Sequence, residues 1–73
     1  MKMNIIEATK KSVELNKAIY RYSHPTTMFL PTNTPYCCLM YEMNENKKRT
    51  TFLEVRWNPK QSDLLADDWL VEE

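Results

Sequence analysis

Glycine is absent from this chain of 73 residues. Without it, no flexible loop of backbone amides can wrap a phosphate as a P-loop does, so phosphate contacts would depend on side chains such as Arg21, Arg56 and Lys17. Left-handed backbone positions must also be filled by other residues, and asparagine accepts them most readily.

Net charge is absent as well, because 10 Lys and Arg balance 10 Asp and Glu. This neutrality argues against general binding to nucleic acids or anionic membranes. No apolar run approaches the roughly 20 residues of a membrane span, and the N-terminal residues become charged too soon for a signal peptide. We therefore expect a soluble, cytoplasmic protein with neither a membrane nor a nucleic acid as partner.

Cysteine and histidine are scarce. Cys37 and Cys38 are the only cysteines and are adjacent, and His24 is the only histidine. A disulfide between neighbours is strained, so two reduced thiols in a reducing compartment are expected. The usual spacings of metal ligands are missing, and the carboxylates are accounted for as helix caps and surface charges. The sequence thus predicts no metal, no cofactor and no catalytic residues.

The length predicts a single domain over residues 1–73. A core of this size contributes only about 3–5 kcal/mol to the free energy of unfolding. We therefore expect the domain to need additional stabilisation, which self-association can provide.

The first predicted element is a helix. Asn4, followed three residues later by Glu7, has the form of an N-cap with a capping box, and the helix is expected to reach about Leu15 or Asn16. Asn16 can occupy the left-handed position that ends it. One half of the cylinder collects the apolar and small residues Ile5, Ile6, Ala8, Thr9, Ser12, Val13 and Leu15.

Beyond this helix the apolar residues alternate. The pattern predicts strands within residues 17–23, 28–30, 36–43 and 50–57, separated by turns at Pro25, 31–35 and 44–48. The short connections favour antiparallel pairing. The fourth strand is expected to turn one face toward the helix, namely Thr51, Leu53, Val55 and Trp57. The basic residues Lys47, Lys48 and Arg49 are interpreted as a solvated hairpin end.

Residues 57–73 contain both tryptophans. Asn58, Pro59 and Gln61 have the form of a helix start, with a second possible cap at Ser62 and Asp63. A helical turn over 61–66 should carry Leu64 and Leu65 inward, before a short strand over 69–71. The predicted fold is therefore α+β: an N-terminal helix packed on a small antiparallel sheet of about four to five strands, with a short helical turn before the C-terminal strand.

This last segment also carries a family motif. The pattern W-x-P-x-Q-x-D-L-L-A-x-D-W is present from Trp57 to Trp69. It resembles the closing motif of a family of small phage and bacterial proteins that includes the Thoeris anti-defence sponge proteins. Earlier positions follow the family order more loosely: Glu7 with Ala8, Lys17, Arg21, and Met28 with Phe29. The chain departs from the family in lacking glycine after the first helix and in having Tyr22 and His24 around the place of an expected tryptophan.

The resemblance implies a protein that sequesters a signal without chemistry. Relatives capture a cyclic ADP-ribose-type or cyclic dinucleotide signal of a bacterial immune system, in the bacterial host cytoplasm, so that its effector is never activated. The resemblance also implies a homodimer or homotetramer whose protomers build the pockets together. The ligand-binding candidates are cations for phosphate, flat rings for a purine, and polar groups for ring edges and ribose: Arg21, Tyr22, His24, Phe29, Arg56, Trp57, Gln61 and Asp63.

Simpler roles for these residues stay open at this stage. Arg21 and Arg56 could be surface charges, the aromatic candidates could be core residues, and His24 could be an ordinary loop residue. A second functional class also stays open, because residues 36–43 are apolar on both faces of a strand and would suit a small inhibitor that covers a host enzyme. Self-association would explain that run equally well.

Overall fold

A computed structural model describes residues 3–73 and contains the predicted α+β architecture. Its elements follow in the order α1 (Ile5–Leu15), β1 (Ile19–Arg21), β2 (His24–Pro31), β3 (Cys38–Met43), β4 (Arg49–Glu54), α2 (Gln61–Leu65) and β5 (Trp69–Val71). The five strands form one antiparallel sheet in the order β4-β3-β2-β1-β5. Within the described residues, neither helix is long and apolar enough to cross a membrane.

The ends of α1 are those predicted from the sequence. The Asn4 carboxamide oxygen accepts the Glu7 amide at 2.8 Å, and the Asn4 amide donates to the Glu7 carboxylate at 3.0 Å, which completes the capping box. Asn16 ends the helix in the left-handed conformation, with φ 55° and ψ 49°. Local chemistry alone therefore sets where α1 begins and ends.

The contact face of α1 is narrower than the predicted stripe. Ala8 and Ser12 are buried against the sheet, whereas Ile6 and Val13 are 63% and 70% exposed and Leu15 is also exposed. The small side chains of Ala8 and Ser12 let the helix backbone approach β1, β2 and β5 closely. That closeness leaves the neighbouring large residues outside the contact.

Both faces of the sheet bury apolar side chains. The helix side is centred on Ala8, Ile19, Phe29 and Trp69. The opposite side is centred on Ala18, Tyr20 and Met28, with Leu30, Tyr41, Met43 and Leu70 packed around them. Because β3 lies between β2 and β4 and contributes to both clusters, its apolar character on both faces is explained within the chain.

Glu72 joins the two edges of the sheet at one end. It directly follows the edge strand β5, and its carboxylate accepts the backbone amides of Ala18 and Arg49 while pairing with the Arg49 guanidinium at 2.9 Å. Arg49 begins the other edge strand, β4, and its guanidinium lies over the Tyr41 ring. Arg49 is therefore a structural residue, and only Lys47 and Lys48 of the basic cluster are exposed as predicted.

Two predictions about the strands are wrong. Pro25 lies inside β2, and the turn before it consists of Tyr22 and Ser23. Proline is tolerated there because the pairing of β1 with β2 shifts register between Arg21 and Ile19, so its missing amide costs no regular ladder bond. In β4, Thr51 and Leu53 are exposed instead of facing the helix, because α1 packs on β1, β2 and β5 whereas β4 is the opposite edge of the sheet.

The helical turn before β5 forms over Gln61–Leu65, with Lys60 at the N-cap position instead of Asn58. Leu64 and Leu65 are 50% and 76% exposed, so the prediction that they point inward is wrong. No residue of α2 is buried. This short helix is held mainly by polar contacts of Asp63, and these contacts lie at the candidate site.

Candidate functional site

Arg21, at the end of β1, connects that strand to the C-terminal segment. Its Nε donates to the Asp68 carboxylate at 2.6 Å, and its Nη1 donates to the Asp63 carboxylate at 2.9 Å. The Arg21 side chain is only 14% exposed. One guanidinium thus holds two carboxylates, and these three side chains together carry one net negative charge.

The electrostatics of Asp68 reflect this arrangement. Burial alone raises the pKa of Asp68, but hydrogen bonds from Arg21 and from Ser23 outweigh it, and the pKa falls to about 2. The same hydrogen bond to Asp68 raises the pKa of Arg21 above its ordinary value. Asp68 is therefore ionised at neutral pH, and it anchors the Tyr22–Ser23 turn by accepting the Ser23 amide at 3.1 Å.

Asp63 fixes the position of α2. Its carboxylate accepts the Lys60 amide at 2.9 Å as well as the Arg21 guanidinium, and its carbonyl accepts the indole Nε1 of Trp69 at 2.9 Å. Since Trp69 is fully buried, this last bond connects α2 directly to the core. The second cap predicted at Ser62 and Asp63 does not form, because both residues lie inside α2. Asp63 instead accepts the amide of the Lys60 N-cap, and it also pairs with Arg21 on a distant strand.

Three aromatic rings pack beside this network. Trp57 stacks on Phe29 with ring centroids 3.9 Å apart and planes 22° apart. Trp69 meets both rings edge-on, at 6.0 Å from Phe29 and 5.9 Å from Trp57. The stack belongs to the apolar cluster on the helix side of the sheet, in which Phe29 and Trp69 are buried and Trp57 is partly buried.

A cavity of about 400 Å³ lies between α2 and the sheet. The sheet lines one side of the cavity with charged, polar and apolar side chains, and α2 with its N-cap residue lines the other side. The lining residues are Arg21, His24, Thr26, Thr27, Phe29, Met40, Lys60, Ser62 and Asp63. Its volume falls within the roughly 300–1,000 Å³ typical of small-molecule sites.

Four of the eight predicted ligand-binding residues line this cavity: Arg21, His24, Phe29 and Asp63. Trp57 stands next to them through its stack on Phe29. His24 is exposed, and its Nδ1 lies 3.0 Å from the Ser23 hydroxyl. The structure therefore brings together residues that are as many as 42 positions apart in the chain.

The other three predicted residues lie elsewhere. Tyr22 is 73% exposed in the turn after β1, and Gln61 is exposed at the start of α2. Arg56 has a positive φ of 58° and donates from Nε to the Pro35 carbonyl at 3.2 Å, which places it at the loop between β2 and β3. None of the three lines the cavity described above.

Five lining residues were not predicted from the sequence: Thr26, Thr27, Met40, Lys60 and Ser62. Thr27 and Phe29 are two apart on β2 and opposite Glu42 and Met40 on β3, so they share one face of the sheet. The alternation of Thr27 with Phe29 is a sequence signal for this shared face, but the predicted turn at Pro25 and strand at 28–30 leave Thr27 outside the predicted strand. Lys60 and Ser62 carry no comparable signal, because only the fold of 58–63 brings them to the cavity.

A second cavity of about 430 Å³ lies at the other end of α1, between Val13, Asn16 and the segment from Leu30 to Asn33. None of the predicted ligand-binding residues lines it. Within residues 3–73, no group of three or more His, Cys, Asp or Glu side chains is arranged to hold a metal ion.

The fold is a small α+β domain with a cavity between α2 and the sheet. The family model of the Thoeris anti-defense 2-like domain matches residues 3–71, and the chain belongs to this family. This membership supports a Thoeris anti-defense role. Searches of curated proteins and of solved structures found no match to the chain.

Proposed function

We propose that this chain is a phage-type anti-defence sponge that binds and sequesters a cyclic nucleotide immune signal in the bacterial host cytoplasm. The signal is of the cyclic ADP-ribose type or a cyclic oligonucleotide. The observation that carries the proposal is the cavity between α2 and the sheet, because it combines the Phe29 ring with charged and hydroxyl side chains. A nucleotide needs those three kinds of contact for its base, phosphates and ribose.

We propose further that the signal is held without being cleaved. Hydrolysis would need a base or nucleophile free to act on the ligand. The carboxylate that lines the cavity, Asp63, is engaged by Arg21 and by the Lys60 amide, and neighbouring Asp68 is engaged by Arg21 and Ser23. His24 also lines the cavity, and its Nδ1 lies 3.0 Å from the Ser23 hydroxyl. The two carboxylates serve the structure of the site, which supports a binding role.

Self-association into a homodimer or homotetramer is part of the same proposal. Ile6 and Val13 are seven residues apart on α1 and both mostly exposed, so they form an apolar stripe that a second copy can cover. Light scattering coupled to size-exclusion chromatography should give a mass of two or four chains. A Val13→Glu variant should lower it, whereas Lys11→Glu on the outer face of α1 should not.

The test of sequestration is a thermal-shift panel on the purified protein. The panel contains cyclic ADP-ribose isomers, glycocyclic ADP-ribose isomers, cyclic di- and trinucleotides, and linear ADP-ribose, and the ligand is recovered afterwards by chromatography. A ligand at about a hundred times its dissociation constant adds about 2.7 kcal/mol, which raises the Tm of a domain this small by about 10 °C or more.

Two tryptophan variants give a matched control. Thr27→Trp should fill the cavity and remove the ligand-induced shift, whereas Thr50→Trp, on an exposed position of β4, should keep it. A ligand recovered in cleaved form would make the protein an enzyme. If no member of the panel shifts the wild-type Tm, sequestration of these signals is refuted, and capture of a host enzyme becomes the leading alternative.

A further inference from the structure

The cavity is lined by two side chains that are cationic at neutral pH, Arg21 and Lys60. Arg21 already forms ion pairs within the protein. Its guanidinium donates to Asp63 and Asp68 and is 14% exposed, so a phosphate that approached it would also meet two carboxylates. Because this group of three side chains is net negative, Arg21 is a poor contact for an anionic ligand.

Lys60 is in the opposite situation. It is exposed, and its ammonium group makes no ion pair with any carboxylate of residues 3–73. Its main chain, in contrast, is fixed: the Lys60 amide donates to the Asp63 carboxylate at 2.9 Å, and the Lys60 carbonyl accepts the Asp63 amide at 3.0 Å. The structure thus holds the base of a free cationic side chain in place at the edge of the cavity.

We propose that Lys60 supplies the phosphate contact of this site, and that Arg21 holds the cavity wall through Asp63. The inference rests on the proposed function, since it assigns the anion-binding residue of the same cavity. The chemistry recognised is a phosphate or diphosphate group, which an ammonium on a flexible stem contacts by charge-assisted hydrogen bonds.

The variants that test this assignment are Lys60→Gln, Lys60→Arg and the control Lys11→Gln. Lys11 is exposed on α1, does not line the cavity, and loses the same charge. Calorimetric titration with the panel nucleotide that binds the wild type should show affinity about tenfold weaker for Lys60→Gln, which is the loss of one charge-assisted hydrogen bond. Lys60→Arg and Lys11→Gln should stay within about threefold of the wild type, and an unchanged affinity of Lys60→Gln would overturn the assignment.

A titration with sodium pyrophosphate separates this inference from the proposed function. Pyrophosphate carries the anion without the nucleoside, and its contact is followed by nuclear magnetic resonance of the Lys60 side chain and the amides of α2. If no panel nucleotide binds the wild type, a pyrophosphate-dependent shift that Lys60→Gln abolishes would uphold the anion contact while the nucleotide proposal fails. In that situation, the absence of any such shift would overturn both.

Discussion

Asp67 and Asp68 are adjacent carboxylates in different surroundings, and replacing each by asparagine tests whether the Arg21 network stabilises the fold. Asp68 accepts Arg21 Nε at 2.6 Å and the Ser23 amide at 3.1 Å. Asp67 is exposed and has no ion pair within residues 3–73. The two substitutions remove the same charge from neighbouring positions, so their difference isolates the network.

The magnitude for Asp68 follows from its pKa. A carboxyl with a pKa of about 2 in the folded chain and 3.8 unfolded contributes about 2.4 kcal/mol at neutral pH. The Asp68 side chain is 25% exposed, and solvent screening brings the expected loss to about 1–2 kcal/mol. For a domain this small, Asp68→Asn should lower the Tm by about 5–15 °C, and Asp67→Asn should change stability by less than about 0.5 kcal/mol.

The pH dependence has a definite sign. Because folding lowers the pKa of Asp68, its stabilisation is fully present above the unfolded pKa and is lost as the pH falls through about 2. At pH 3 about half of it should remain. Urea unfolding of the wild type and both variants at pH 7 and pH 3 measures this loss of stability. If Asp67→Asn destabilises the fold as much as Asp68→Asn, the Arg21 network does not stabilise it. The same conclusion follows if the destabilisation by Asp68→Asn is as large at pH 3 as at pH 7.

Three further predictions concern other parts of the fold. Glu72→Gln should cost about 2 kcal/mol at pH 7, because the buried carboxylate joins the sheet edges, whereas Glu73→Gln should cost less than about 0.5 kcal/mol in the same urea experiment. Hydrogen bonds to the Arg49 and Ala18 amides, together with the Arg49 and Lys17 charges, outweigh burial and lower the pKa of Glu72. Its contribution should therefore disappear as the pH falls through that lowered value, and a pH-independent effect would contradict this. Trp57→Ala should cost about 2 kcal/mol and the exposed Phe52→Ala about 1 kcal/mol, measured by thermal unfolding; equal losses would argue against the stack on Phe29. Asn16→Ala should cost about 1 kcal/mol because alanine resists a φ of 55°, while Asn16→Gly should be nearly neutral, and two equal losses would show that the conformation of Asn16 is not the cause.

The predictions that the structure confirms rest on interactions between near neighbours. The capping box of Asn4 and Glu7 and the left-handed Asn16 each involve a few consecutive residues. The hairpin at 44–48 is similar, because the Asn44 carboxamide accepts the amides of Asn46 and Lys48 and lets Lys47 take a positive φ. Such interactions depend little on the rest of the fold, so composition and spacing are enough to find them.

The errors arise where a residue's surroundings come from distant elements. The outward positions of Leu64 and Leu65 follow from the way Asp63 is held by Arg21 and by the Trp69 indole. The exposure of Val13 follows from the close approach of Ala8 to the sheet. Periodicity shows which residues lie on the same side of a helix, but it does not show how much of that side is covered.

The candidate site was likewise predicted from the sequence only in part. Residue types suited to a nucleotide could be selected from the sequence, and Arg21, His24, Phe29 and Asp63 do line one cavity. The separation of Tyr22, Gln61 and Arg56 from it, and the presence of Lys60 in it, depend on a register shift and on the fold of the segment before β5. The sequence by itself determined the limits of α1, the turns at 31–35 and 44–48, the order of elements and the family. Only the tertiary structure decided that Arg21 is occupied by two carboxylates while Lys60 is free, because charge pairing depends on distances that chain order does not specify.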